Sequence, residues 1–155
     1  MSGDDLRELM RRLAAPVAVL TIELDGRRNG VTVGSFGSLS LDPPLVGVAI
    51  ARTAQFHEAL REVDLFVLNA LAAGQDAVAQ HFARGVPPIA MWTGIAVRAG
   101  EGPPLLEGCL GWLVCRRVQE VPVGDHTFFV GEVLSVEHGA QGPALAYIGQ
   151  KYVSL

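Results

Sequence analysis

Between Asn29 and Pro44, Thr32, Ser35, Ser38 and Ser40 are interleaved with Val33, Phe36 and Leu39, and Gly34 and Gly37 break the run. A strand and loop of that composition lets another molecule come close to the backbone, and its hydroxyls and amides can donate to an acceptor-rich group such as a phosphate. The apolar run Leu45 to Ala51 follows, and Arg52, Thr53 and Gln55 then bring a cation and more polar groups to the strand's end. An arginine there can grip a phosphate in a charge-assisted fork. Thr32, Ser35 and Ser38 also fit hydroxyls that only face solvent or satisfy a turn. No GxGxxG opens a helix and no GxxxxGK[ST] is present, so any phosphate site has to be assembled from strand and loop donors.

The other reactive side chains are sparse. His126 follows Asp125, a neighbour able to tune an imidazole. His57, His81 and His138 show no ligand-like spacing, and Cys109 and Cys115 form no CxxC, so no metal site is expected and the thiols read as small buried side chains. Trp92 and Trp112 read as core or interface residues.

A chain of 155 residues suits one domain spanning 1–155, since domains most often hold about 100 to 150 residues. Its net charge of −4 and its basic residues, never longer in a run than pairs such as Arg11-Arg12, disfavour nucleic acid. The acidic start, Met1 to Asp5, lacks the pattern of a secretion signal, and no apolar run approaches the ~18 residues of a membrane span. A cytoplasmic protein is expected. Half of the residues are apolar and 18% are charged, below the usual figure of about 25%, so part of the surface should be covered by a partner and a homodimer is expected.

Positioning falls to short elements. Asp4 or Asp5 is expected to cap a helix over Leu6 to Ala14, stopped by Pro16. Val17 to Leu24 is a strand, Asp25-Gly26 a tight turn, and the hairpin is expected to return through Val31 to Ser38. Asp42-Pro43-Pro44 interrupts, and Leu45 to Ala51 is a buried strand. Helices are predicted over Gln55 to Glu62 and Ala73 to Ala83, with the strand Leu65 to Leu71 between them. Arg84 to Pro104 is irregular and can cover a site. Strands are then predicted over Gly108 to Val121 and His126 to Val136, joined by a turn at Gly124-Asp125, before a tail carrying Tyr147 and Tyr152. At least six strands without sustained βαβ alternation point to a mainly β, antiparallel barrel, closed or partly closed.

Four pieces in this order carry a resemblance: Gly30 to Pro44, Phe66 to Leu71, Gln80 to Ala83, and Gly124 to Val133. Together they resemble the flavin reductase-like, FMN-binding split-barrel proteins, which include reductase components of two-component flavin monooxygenases. The resemblance implies a homodimer of antiparallel Greek-key split β-barrels holding FMN, or FAD, near the interface. It implies that Thr32, Val33, Ser35, Phe36, Ser38 and Leu39 line the flavin, with Ala51, Arg52, Thr53 and Gln55 as a second segment and Phe82, Ala83 and Arg84 as a third. His126 is similar in position to the family histidine beside the nicotinamide of NADH or NADPH, with Tyr147 and Tyr152 close by. The implied activity is hydride transfer from NAD(P)H to flavin, with reduced flavin passed to a separate oxygenase. The alternative is a flavin-holding electron-transfer or storage protein without nicotinamide oxidation. Gly34 and Gly37 stand where relatives often carry a larger or polar residue, which shifts the expected contacts toward backbone amides.

Overall fold

The computed structural model describes all 155 residues. Its first helix, α1 (Gly3–Met10), begins earlier than the sequence predicts, because Ser2 and not Asp4 or Asp5 is the cap. Ser2 and Asp5 form a reciprocal capping box, with the Asp5 amide donating to Ser2 Oγ at 3.2 Å and the Ser2 amide to Asp5 Oδ2 at 2.8 Å. This pairing satisfies two exposed donors at once, which a single aspartate does not do.

Ten strands follow: β1 (Ala15–Pro16), β2 (Ala18–Leu24), β3 (Arg27–Val33), β4 (Phe36–Leu41), β5 (Pro44–Ala51), β6 (Leu65–Ala70), β7 (Gly111–Val123), β8 (His126–His138), β9 (Leu145–Ile148) and β10 (Lys151–Ser154). Helices α2 (Gln55–Glu62) and α3 (Asp76–Ala83) flank β6, and α3 starts three residues later than expected. No helix is long and apolar enough to cross a membrane. The β2–β3 turn places Asp25 and Gly26 at φ 52° and 76°, the left-handed pair that the twist of a two-residue hairpin demands.

Seven strands make one antiparallel sheet in the order β3-β2-β6-β7-β8-β5-β4, and β1-β9-β10 form a second. The expected return strand from Val31 to Ser38 is two strands. β3 stops at Val33 and pairs with β2, whereas β4 starts at Phe36 and pairs with β5 at the far edge. That break sets the shape of the sheet. Three Cα steps span at most ~11 Å, whereas seven flat strands would separate their edges by about 29 Å. The sheet has to curl until β3 and β4 face each other, so the barrel is split between them and both retain an unpaired backbone edge.

β2 alternates between two cores, which is why it reads as an unbroken apolar run. Ala18, Leu20 and Ile22 point into a cluster with Val48, Phe66, Phe129 and the α2 residues Phe56 and Leu60. Val17 and Val19 point the other way, to Phe82 of α3, Leu106 and Trp112. Cys109 and Cys115 are fully buried free thiols, and burial pushes both up to about 12.

The segment between α3 and β7 is pinned by a buried polar network. Asn69 donates to the Val19 carbonyl at 2.9 Å and to Thr21 Oγ1 at 3.0 Å, and its Oδ1 accepts the Leu106 amide at 2.9 Å. Thr21 donates onward to the Pro104 carbonyl at 2.6 Å. An unpaired buried donor or acceptor costs about 1–3 kcal/mol, so Asn69→Ala should lose about 2–3 kcal/mol in urea unfolding. An unchanged urea midpoint would show that water or local repacking replaces those bonds.

Candidate functional site

The packing of α3 on β3 creates a groove. A Cβ at Gly30 would lie 3.1 Å from two carbons of the Phe82 ring, so glycine there is what lets the ring sit on the strand. Two positions on, Thr32 Oγ1 donates to the Ala79 carbonyl at 2.6 Å. The hydroxyl that the sequence offers to a ligand therefore anchors a helix, and only its lone pairs remain available. Phe82 is buried against Trp92, with ring centroids 5.3 Å apart, and Trp92 Nε1 donates to the Arg28 carbonyl at 3.0 Å. His81 holds the next loop through a 2.6 Å contact between Nε2 and the Met91 carbonyl.

What results is a groove of about 480 Å³, walled by Asn29 to Val31, Ala54 to Phe56, His81 to Ala83 and the loop residues Gly85 to Pro88 and Met91. That is within the usual range for small-molecule sites, about 300 to 1,000 Å³. α2 has no side-chain cap on its first turn; its His57 amide turns back to the Ala54 carbonyl at 3.1 Å, which leaves the amides of Gln55 and Phe56, two residues that line the groove, without a protein acceptor. Gln55, Phe82 and Ala83 are the sequence-predicted residues found here. Gly30, His81 and Met91 were missed, although the covering role expected of the irregular segment is the role the loop plays.

Ala83 also lines two further cavities. One, of about 250 Å³, contains Pro16, Thr32, Val33, Gly34, Tyr147 and Tyr152. The other, of about 610 Å³, contains Arg84, both tyrosines and Lys151. Tyr147 and Tyr152 are cross-strand neighbours on β9 and β10, with ring centroids 4.9 Å apart. Burial raises the Tyr152 phenol, which stays protonated as a donor.

The remaining predicted residues lie along the sheet's other edge. Ser35 and Ser38 are exposed, Phe36 packs on the inner core, and Leu39 is half exposed. The Ser35 carbonyl accepts the Ala49 amide at 2.9 Å, closing the corner between β3 and β4. A Cβ at Gly34 would meet only ordinary contacts and one at Gly37 would meet none, so packing demands neither glycine.

Ala51 pairs directly with His126 across β5 and β8, and the Arg52 amide donates to the Asp125 carbonyl at 3.0 Å. Arg52 and Thr53 therefore adjoin His126 at one end of the barrel. His126 Nδ1 lies 2.6 Å from Asp125 Oδ1, and that hydrogen bond holds the Asp125 carboxyl below its usual value. An ionised carboxylate only accepts, so Nδ1 is the donor of this pair, and Nε2 makes no hydrogen bond within the chain. Behind it, buried His57 bridges α2 to β8, with Nε2 2.7 Å from Thr127 Oγ1 and Nδ1 2.8 Å from Glu58.

Residues 10–155 match the model of the flavin reductase like domain. The chain belongs to that family. This flavin reductase domain is 38% identical over 146 residues to the reductase component of 4-hydroxyphenylacetate 3-monooxygenase from Thermus thermophilus, covering 94% of this chain and 92% of that protein. It is 34% identical over 153 residues to an NADH:FMN oxidoreductase of Rhodococcus qingshengii, covering 96% of this chain and 80% of the relative. Its fold superposes on an NADH:FAD oxidoreductase of Streptomyces globisporus, solved with NAD and FAD fragments, with a TM-score of 0.91, 29% identity and coverage of 98% and 92% of the two chains. α1 lies almost wholly before the matched span, and every residue named in the groove lies within it.

Proposed function

We propose that this chain is an NADH-dependent flavin reductase that converts FMN, or FAD, to the reduced flavin and supplies it to a separate monooxygenase. The observation that carries the reading is the family match across residues 10–155, which spans the whole groove. The groove's chemistry suits a flavin. Val31, Phe82, Pro87, Pro88 and Met91 offer an apolar wall for a ring system, while Gln55 and the uncapped amides of α2 offer donors for a phosphate.

The bound flavin supplies the hydride acceptor and NADH the hydride, so NADH, flavin and one proton become NAD⁺ and reduced flavin. The protein's task is alignment. Phe82, fixed on Gly30 and Trp92, keeps the groove wall rigid, and the loop from Gly85 to Met91 limits water. His126, oriented by Asp125, presents Nε2 to the nicotinamide carboxamide, while Arg52 places a cation beside it. The segments Thr32 to Leu39 and Ala51 to Thr53 complete the flavin site in this reading.

A homodimer of such 1–155 domains fits the apolar side chains left in water at the β4–β5 turn and on the long strands, where Leu41 is 86% and Val136 is 58% exposed. A cytoplasmic location fits a reaction that consumes NADH.

Anaerobic mixing with FMN and NADH tests the reading: the flavin absorption band should bleach within turnover time, and no bleaching would remove it. His126→Ala should raise the KM for NADH about tenfold while the Kd for FMN, from fluorescence titration, stays within twofold. Unchanged NADH kinetics would take His126 out of the site.

A further inference from the structure

The first turn of α2 is a partition between two clefts. On one side Ala54, Gln55 and Phe56 wall the groove against α3. On the other, Arg52, His57, Glu58 and Arg61 face Glu120 and Thr127 across a polar cleft of about 400 Å³. The two spaces share no lining residue, so anything that links them passes through the helix turn itself.

His57 is where that turn is tied down. Its side chain is buried and stands edge-on to the Phe129 ring, with centroids 5.6 Å apart. Nδ1 lies 2.8 Å from Glu58 Oε1, and this hydrogen bond holds the Glu58 carboxyl below its usual value, so the carboxylate accepts and Nδ1 donates. Nε2 lies 2.7 Å from Thr127 Oγ1. A hydroxyl serves the ring in either state, donating to a bare Nε2 or accepting from a protonated one. Thr127 follows His126 on β8, and successive strand residues point to opposite faces, so the buried threonine fixes from within the strand end that carries the half-exposed imidazole.

The rest of α2 is held differently. At its C-terminal end Arg117 of β7 donates through Nε and Nη2 to the Val63 and Arg61 carbonyls, both at 3.0 Å. Arg61 Nε in turn donates to Glu120 Oε1 of β7 at 3.1 Å. Phe56 and Leu60 pack on the inner core, but apolar burial has no direction and does not fix the height or rotation of a helix. A hydrogen bond does, and the first turn makes one to a strand, from His57 to Thr127.

We propose that His57 is a positioning residue that locks the first turn of α2 to the strand of His126, holding the groove and the His126 end at one spacing. In this role it touches neither ligand. The inference rests on the flavin reductase reading for what each end holds: flavin beside Gln55 and Phe56, nicotinamide beside His126. Hydride transfer needs the two rings in contact, and a misplacement of about 1 Å can cost on the order of 10²-fold in rate, so a single bond across that spacing matters.

Each end of the lock can be cut and read at the other. Thr127→Val puts a methyl group where the hydroxyl meets Nε2, and the Kd for FMN, on the α2 side, should rise at least about fivefold. His57→Phe keeps a ring without either nitrogen and should raise the KM for NADH, on the His126 side, at least about fivefold. In the double variant these losses should not add. Thr127→Ser keeps the hydroxyl and should hold both constants within about twofold of wild type. Asn69→Ala, destabilised through β2 and the segment before β7, shows what lower stability alone does and should also stay within about twofold. Either cut decides the proposal if the other variant misfolds, because each is read at the far end. Unchanged constants in the cut variants, additive losses in the double variant, Thr127→Ser as impaired as Thr127→Val, or equal losses in Asn69→Ala overturn it. If wild type binds FMN but NADH does not bleach it, the flavin reductase reading fails, and FMN titration of Thr127→Val and Thr127→Ser still decides the lock. Wild type that binds no FMN removes both.

Discussion

Phe66→Ala should be among the most destabilising single changes in this chain, lowering unfolding free energy by about 3–5 kcal/mol. The residue is fully buried and joins β6 to the inner core. Its ring reaches across β7 to Gly131 on β8, where an added Cβ would lie 2.5 Å from the Phe66 Cζ, 2.9 Å from its Cε1 and 3.1 Å from the Cys115 Cβ. Three central strands are thus held at one point by a large residue opposite an absent one. Against a typical total of about 5–15 kcal/mol, a loss of this size leaves little margin, and the melting temperature should fall on the order of 10 °C. The pairing makes a sharper test possible. Gly131→Val alone should also destabilise, because it collides with the ring, yet in the Phe66→Ala background it fills the vacated space and should recover part of the loss. Strictly additive costs in a urea-measured double-mutant cycle would show that the two positions do not share that volume.

The same long-range dependence separates what could be read in the sequence from what could not. α2, the Asp25-Gly26 and Gly124-Asp125 turns and the strands β2, β5, β6 and β8 follow from local signals: helical spacing, turn glycines and runs of branched residues. The corner at Gly34-Ser35 was missed because nothing local distinguishes one strand of eight residues from two strands on opposite edges of a sheet. Only the partners, Ala18 for Val33 and Val48 for Phe36, decide it. Thr32 looked like a ligand donor because its hydroxyl's actual acceptor, the Ala79 carbonyl, comes 47 residues later. Gly30 was overlooked for a related reason, since the Phe82 ring that requires it also lies far along the chain. The resemblance named the segments, and only the strand pairing and the packing of α3 show that Gln55, Phe82 and Ala83 share the groove while Ala51 and Arg52 adjoin His126. Local composition records which residues can bind, while strand order decides which of them meet.

Ala83 is where that division can be tested with the largest functional effect. It is exposed, it ends α3, and it is common to the groove and both neighbouring cavities. An exposed position on the last turn of a helix tolerates a large side chain with little change in folding, usually within about 0.5 kcal/mol. Ala83→Trp should therefore leave the thermal midpoint within about 2 °C and yet put an indole on the residue that lines all three spaces. The Kd for FMN should rise at least tenfold, equivalent to about 1.4 kcal/mol, and NADH turnover should fall with it. Ala83→Ser, which adds one oxygen, should change neither by more than about twofold, separating obstruction from loss of the methyl group. If Ala83→Trp folds and binds FMN as tightly as wild type, the flavin does not occupy the α3 groove. The site would then have to be sought beside the α2 wall of the groove, around Ala51, Arg52 and His126.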